Sequence, residues 1–379
     1  MTSRLHQLSA AGTSVWLDYI DRTMLRNGEL ARRIRDDALT GMTSNPTIFE
    51  KALAEGSAYD EQLAGAPAGA TAWELFELVE TEDVRAACDI FAAVYRQTNG
   101  ADGYVSIEVS PGVADDADAT VEEGRRLWAT VGRPNVMIKV PGTAEGAKAV
   151  RRLIADGINV NVTLLFSVDA HRRVIGAYLA GLEDRAAAGQ PIDRVASVAS
   201  FFVSRVDGEI DRRLDALAAA RPADRERLAA MKGKAAIANA KMAYRLFREM
   251  FSGPRWERLR AGGARLQRPL WASTSTKNPA YRDVMYVEDL IGADTVNTMP
   301  PATLDAFRDH GETRRTVDSH PDAERQLLAE LEAAGVSMRD VTDKLLVDGL
   351  ASFQKSFDTL IGGLEGKVRK LGGRVAAGR

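Results

Sequence analysis

Eight short strand-like runs recur along the chain, each separated from the next by a helical pattern rather than a two-residue turn. They lie at 14–19, 39–42, 104–110, 135–140, 159–165, 197–203, 269–273 and 295–298. Strands that alternate with helices and lack hairpin signals predict a parallel sheet, and parallel strands, buried on both faces, read as apolar throughout. Eight strands are the number that closes such a sheet on itself. The expectation is therefore α/β, an (α/β)8 TIM barrel, with 1–379 as a single domain. The helical pattern exceeds a simple crossover between strands two and three, at 47–64 and 72–98. It does so again between strands six and seven, at 206–250, with a break expected near Arg221-Pro222. A helical stretch is expected at 280–291, a leading segment at 1–13, C-terminal helices over 302–372 and a frayed tail at 373–379. No Gly-x-Gly-x-x-Gly follows the first strand, which points away from a dinucleotide-binding sheet.

Composition narrows the function classes. A net charge of −3 gives no overall pull toward nucleic acid. The lone Cys88 excludes an internal disulfide and a multi-thiolate metal site, and its place in an amphipathic pattern reads as a core thiol. His6, His171, His310 and His320 are scattered without metal-ligand spacing and read as surface residues. No apolar stretch is long enough for a membrane span or a signal peptide, so the cytoplasm is the expected compartment.

The fourth strand carries a lysine within an apolar run, Asn135-Val136-Met137-Ile138-Lys139-Val140, closed by Pro141-Gly142. One reading packs the stem and lets the ammonium reach water. The other desolvates the amine, which lowers a lysine's pKa and yields a nucleophile for a carbonyl. The other strands decide between them, because each delivers a polar residue near its C-terminal end, where barrel function collects. These are Asp18, Asn45, Glu108, Asn161 and Thr163, Ser200 with Arg205, and Ser273 with Ser275 and Lys277. A neutral lysine adds to a ketone and loses water to give an iminium, an electron sink that lets the bond between C3 and C4 of a ketose break. Glu108 and Asp18 are the two candidates for the proton transfers, and Thr163 can hold a relay water. Asn45 and Asn161 can bind sugar hydroxyls. Arg205, Ser273 and Lys277 can hold a terminal phosphate.

The segments Thr43-Ser44-Asn45-Pro46-Thr47, Val105-Ser106-Ile107-Glu108-Val109, Met137-Ile138-Lys139-Val140-Pro141, 157–167 and 294–300 together resemble the transaldolase family, in the family's order, over about 15–357. The resemblance implies a cofactor-free class I mechanism. It implies transfer of a dihydroxyacetone unit from sedoheptulose 7-phosphate to glyceraldehyde 3-phosphate in the pentose phosphate pathway. By position it implies Lys139 as the Schiff-base residue, Glu108 and Thr163 with the catalytic water, and Asp18 on the C4 hydroxyl proton. Asn45, Asn161 and Ser200 would contact the donor, Phe202 would line its site, and Arg205 would hold phosphate. The family often shows Ala-Ser-Phe-Arg-Asn after strand seven. Here the run is Ala272-Ser273-Thr274-Ser275-Thr276-Lys277-Asn278, two residues longer, with Lys277 where the arginine would stand. The expected partners are phosphorylated sugars, with no nucleic acid and no membrane, for a monomer or homodimer.

Two alternatives stand beside this one. A fructose 6-phosphate aldolase would release free dihydroxyacetone, but such relatives carry glutamine for the strand-three acid and tyrosine for Phe202, and are shorter. A non-catalytic sugar-phosphate-binding barrel would not need Lys139, Glu108, Asp18 and Thr163 together. The apolar face of the last helix, with Phe353 and Phe357, is expected either to fold across the mouth or to pack on the outer layer. The 206–250 insertion suggests structure or a subunit contact.

Overall fold

The computed structural model describes residues 3–54, 57–65 and 69–371. Eight parallel strands stand in chain order and close into a barrel. They are β1 (Thr13–Asp18), β2 (Leu39–Thr43), β3 (Tyr104–Glu108), β4 (Val136–Pro141), β5 (Val160–Leu165), β6 (Ser197–Phe202), β7 (Gln267–Ala272) and β8 (Thr295–Met299). Every expected run is a strand, and the ring is sealed where β1 pairs with β8. Residues of β3 to β6 and β8 are buried without exception, as a sheet covered on its outside and filled on its inside requires.

Register sets what fills the barrel. Trp16 pairs with Gly41, and a Cβ on Gly41 would lie 2.3 Å from the indole. Only glycine leaves room for that ring beside β2. The indole N–H donates to Asp102 Oδ1 at 2.7 Å, and Arg268 lies 3.4 Å from the same carboxylate, so the barrel floor is a polar cluster. The helix after the lysine strand is seated as tightly. A Cβ on Gly146 would meet the Pro141 carbonyl oxygen at 1.9 Å.

The connections carry the expected extra helices. Pro46–Ala54, Asp60–Ala64 and Ala72–Gln97 lie between β2 and β3, and the last opens on a capping box of Thr71 and Glu74. Ser204–Ala220, Arg225–Ala229, Ala235–Met250 and Pro254–Ala261 lie between β6 and β7, with the expected break at Arg221-Pro222. The acidic run at 115–118 is a helix start, where Asp116 caps two backbone N–H groups.

Four expectations need correction or sharpening. The leading segment contains a helix, Arg4–Ala10, capped by Ser3 and anchored by the fully buried Leu5 and Leu8. The 280–291 stretch is helical only over Met285–Glu288, because tertiary bonds claim its side chains: Tyr281 donates to Asp211 and Arg282 to the His310 carbonyl. His171 is not a surface residue; it is fully buried against Phe201, and burial pushes its pKa down to about 3, so it is a neutral core residue. The C-terminal part forms three helices, Pro301–His310, Pro321–Ala334 and Met338–Lys370, while the tail at 373–379 lies outside the described residues. Cys88 is buried, and burial pushes its thiol up. No described helix is long and apolar enough to cross a membrane.

Candidate active site

The C-terminal ends of the strands surround a cavity of about 570 Å³. Nine of the eleven expected site residues line it: Asp18, Asn45, Lys139, Thr163, Ser200, Phe202, Arg205, Ser273 and Lys277. The other two, Glu108 and Asn161, lie in register with Lys139 on the neighbouring strands. They sit behind and beneath the cavity wall.

Lys139 is the centre of the arrangement. Its side chain is 6 % exposed, and Nζ donates to Glu108 Oε2 at 2.9 Å and to the Ser44 carbonyl at 3.1 Å. The Phe353 ring stands 5.8 Å from the same nitrogen. The amine is thus held by a carboxylate and a carbonyl below, with an aromatic wall beside it.

Burial drives the proton affinity of Glu108 up, against the opposing charge and hydrogen bond of Lys139, and Asp18 adds to the rise. Burial also raises Asp18, while Lys139, the Thr43 hydroxyl and Arg205 pull it down. Thr43 Oγ1 donates to Asp18 Oδ1 at 2.6 Å and meets Thr298 Oγ1 at 2.8 Å. Two buried oxygens of this group, Glu108 Oε1 and Thr163 Oγ1, have no hydrogen-bond partner among the described residues. A buried polar atom without a partner costs stability, so such a pair fits groups that serve a water or a ligand. Leu164, next to Thr163, has φ +57 at an irregularity in the β5–β6 register, which bends the end of β5 at the site.

The donor-side amides behave differently from one another. Asn161 Nδ2 donates to Ser106 Oγ at 2.9 Å and its Oδ1 accepts from Ser200 Oγ at 2.6 Å. It braces Ser200 from below. Asn45 lines the cavity, and its Oδ1 accepts the Ile48 N–H at 3.1 Å, capping the helix that follows β2. Its amide nitrogen is the group left to donate to a ligand.

The cations gather at the rim. The Arg205 guanidinium lies over the Phe202 ring, 5.3 Å from its centre, within reach of a cation–π contact. Lys277 is exposed and donates to Ser275 Oγ at 2.9 Å. Ser273 adopts φ +54 and shares a hydrogen bond with Ser204 Oγ at 3.0 Å, tying the β7 turn to the helix that carries Arg205.

Four lining or bracing residues escaped sequence reasoning: Thr43, Thr298, Lys51 and the Ser44 carbonyl. The two threonines could have been found, since each is polar, inward-facing and near a strand end. Lys51 is four residues from Thr47, so both lie on the helix face that lines the cavity. The Ser44 carbonyl carries no side-chain signature at all.

The C-terminal helix takes both of the courses open to it. Phe353 lines the cavity, while Phe357 packs on Trp73 and Phe76 of the outer layer at 5.1 and 5.9 Å between ring centres. Thr47 donates to Ser356 at 2.9 Å, and Gly349 lets the helix approach Leu164 and Arg205. Among the described residues no cluster of three histidine, cysteine or acidic side chains is placed to hold a metal ion.

A closed parallel barrel with a buried lysine, its carboxylate partner and a cationic rim at the C-terminal mouth has the build of a barrel enzyme that takes an anionic substrate. A family model described as transaldolase/fructose-6-phosphate aldolase matches residues 15–364, and the chain belongs to that family. A protein named transaldolase in Thermobifida fusca is 50 % identical over 95 % of this chain and 97 % of its own. One of that name in Trichodesmium erythraeum is 46 % identical over 98 % and 99 %, and one in Mycolicibacterium smegmatis 45 % identical over 96 % and 97 %.

Proposed function

We propose that the chain is a transaldolase that moves a dihydroxyacetone unit from sedoheptulose 7-phosphate to glyceraldehyde 3-phosphate, giving erythrose 4-phosphate and fructose 6-phosphate. The observation that carries this reading is Lys139 Nζ at the cavity wall, 2.9 Å from Glu108 and beneath the acids and amides of the mouth.

Lys139 attacks the ketone carbon of the donor. Glu108, its proton affinity raised by burial, takes up the proton the amine must lose. The same carboxyl, through a water held by the Thr163 hydroxyl, supplies the proton that lets the carbinolamine lose water. The iminium that results draws electrons from the C3–C4 bond as Asp18 accepts the C4 hydroxyl proton. An aldehyde leaves, and the three-carbon enamine stays on Lys139 until an acceptor aldehyde reverses the steps. Asn45 and Ser200, the latter braced by Asn161, bind hydroxyls of the donor. Arg205 and Lys277 meet the phosphate, Lys277 as a point charge without the fork of a guanidinium. Phe202 and Phe353 keep water from the enamine.

The reaction needs no cofactor, and the chain works in the cytoplasm as a monomer or homodimer. Glu108 and Phe202 favour transfer over the aldolase reading, since the lyases carry glutamine and tyrosine there. The test is borohydride reduction with fructose 6-phosphate, followed by peptide mass spectrometry. A reduced three- or six-carbon adduct on Lys139 is expected; an unmodified Lys139 peptide overturns the mechanism. Free dihydroxyacetone accumulating without an acceptor, as fast as transfer, would overturn the choice of transfer over cleavage.

A further inference from the structure

A second cavity, of about 620 Å³, opens at the opposite end of the barrel, under its floor. Its deep end is formed by Met137 and Val198, each two residues before an active-site position on the same strand, Lys139 and Ser200. Its side wall is apolar, made by Phe247, Phe251 and Trp256. Its polar wall groups are already engaged. Tyr104 donates to the Gly100 carbonyl at 2.6 Å, and Ser197 donates to the Val160 carbonyl at 2.7 Å while accepting from Gln267 at 2.9 Å.

The entrance is basic. Arg248, Arg260, Arg265 and Arg268 line it, against the two carboxylates Glu257 and Asp294. Arg260 and Glu257 neutralise each other, with Nε and Nη2 of the guanidinium on Glu257 Oε2 at 3.0 and 2.6 Å, which leaves Arg248 and Arg265 to meet a ligand. Arg265 is fixed by the carbonyls of Asp193 and Asn99 at 2.7 and 2.6 Å, which orient the guanidinium without neutralising it. Arg268 is held by Ser14 at 2.8 Å and by the Ala101 carbonyl at 3.0 Å, beside Asp102.

An apolar, hydrogen-bond-saturated interior behind a ring of guanidinium groups selects for an amphipathic anion. A sugar phosphate would leave its hydroxyls unpaired against these walls, which disfavours it. We propose that this cavity is a binding site for a small organic phosphate with an apolar body, of the aryl or prenyl monophosphate class. The body lies toward Met137 and Val198 and the phosphate meets Arg248 and Arg265. The volume suits a ligand of that size, and the guanidinium fork matches phosphate oxygens.

The test is calorimetric titration of the full chain with 1-naphthyl phosphate, in saturating fructose 6-phosphate so that the mouth is occupied. 1-Naphthol and inorganic phosphate serve as the separated halves. Saturable binding is expected, about tenfold or more tighter than either half, and weakened by about tenfold in Arg248→Gln. Arg248 is exposed at the rim, so turnover of that variant stays at the parent level and reports intact folding. Several results each overturn the proposal: no saturable heat, heat abolished by fructose 6-phosphate, inorganic phosphate binding as tightly as the ester, or affinity unmoved in the variant.

Discussion

Thr163→Val separates what the hydroxyl does for the reaction from what it does for the fold. Thr163 is fully buried, and its Oγ1 has no hydrogen-bond partner among the described residues. A buried hydroxyl without a partner carries a desolvation cost of about 1–3 kcal/mol, part of which one bound water returns. Valine has nearly the same shape and no such cost, so stability should hold or rise, by up to about 2 kcal/mol. For a chain of this length that is about 1–3 °C in melting temperature. Turnover should fall, because the relay water loses its holder, by about 10²–10⁴-fold in kcat. Thr163→Ser is the complement: it keeps the hydroxyl and most of the activity, and loses about 1 kcal/mol with the buried methyl. A coupled transfer assay and a urea titration read both quantities on the same preparations. If Thr163→Val loses more than about 1 kcal/mol, the hydroxyl is a structural partner and the reasoning is wrong. Valine turnover at the parent level refutes the catalytic part alone.

Glu108→Gln should leave the Lys139 adduct trappable by borohydride while lowering kcat by about 10²–10⁴-fold, since the proton carrier is lost and the nucleophile is kept; parent-level kcat would contradict this. Gly146→Ala should destabilise by more than about 3 kcal/mol and lower turnover together, because the new methyl meets the Pro141 carbonyl of the lysine strand; a denaturant titration decides. Phe353→Ala should raise the release of free dihydroxyacetone relative to transfer, as water gains access to the lysine; an unchanged ratio of the two products argues for packing alone. Asp207 is pushed up to about 6 by burial, against hydrogen bonds from the Ala236 N–H and the Tyr286 hydroxyl. The folded acid then holds its proton where the unfolded one has lost it, so stability falls as pH climbs from about 4 to about 6, by about 3 kcal/mol. Asp207→Asn should flatten that part of the stability–pH profile, and a profile identical to the parent's would exclude Asp207 as its source.

The strand set and the lysine were legible because both are written in local pattern. Alternating apolar runs and helices specify the barrel, and a single cation in such a run stands out. What alternation cannot give is depth along the barrel axis. Asn161 and Thr163 share a face, yet Thr163 reaches the cavity and Asn161 braces Ser200 below it. Glu108, the last residue of β3, proved to stand behind the lysine rather than in the wall. Phe353 and Phe357, one helical turn apart, face the mouth and the outer layer respectively, a split that depends on where the helix crosses and not on its periodicity. His171 misled for a simpler reason: residue type suggested the surface, and its neighbours on the inner face of Val168–Ala187 put it in the core. The rest of the expected 280–291 helix, beyond the turn at Met285–Glu288, gave way to distant partners of Tyr281 and Arg282, which no local propensity encodes.

The seam between the first and eighth staves joins Thr13 to Thr295 through their hydroxyls at 2.9 Å, across 282 positions of chain. On the ribosome, therefore, every stave made before the eighth waits with one rim of the sheet unpartnered, and the ring can lock only once the eighth has emerged. The helix that screens the lysine follows later still. Recovery of active protein in a cell is accordingly expected to depend on chaperones that shield that rim, far more than on the stability of the finished molecule.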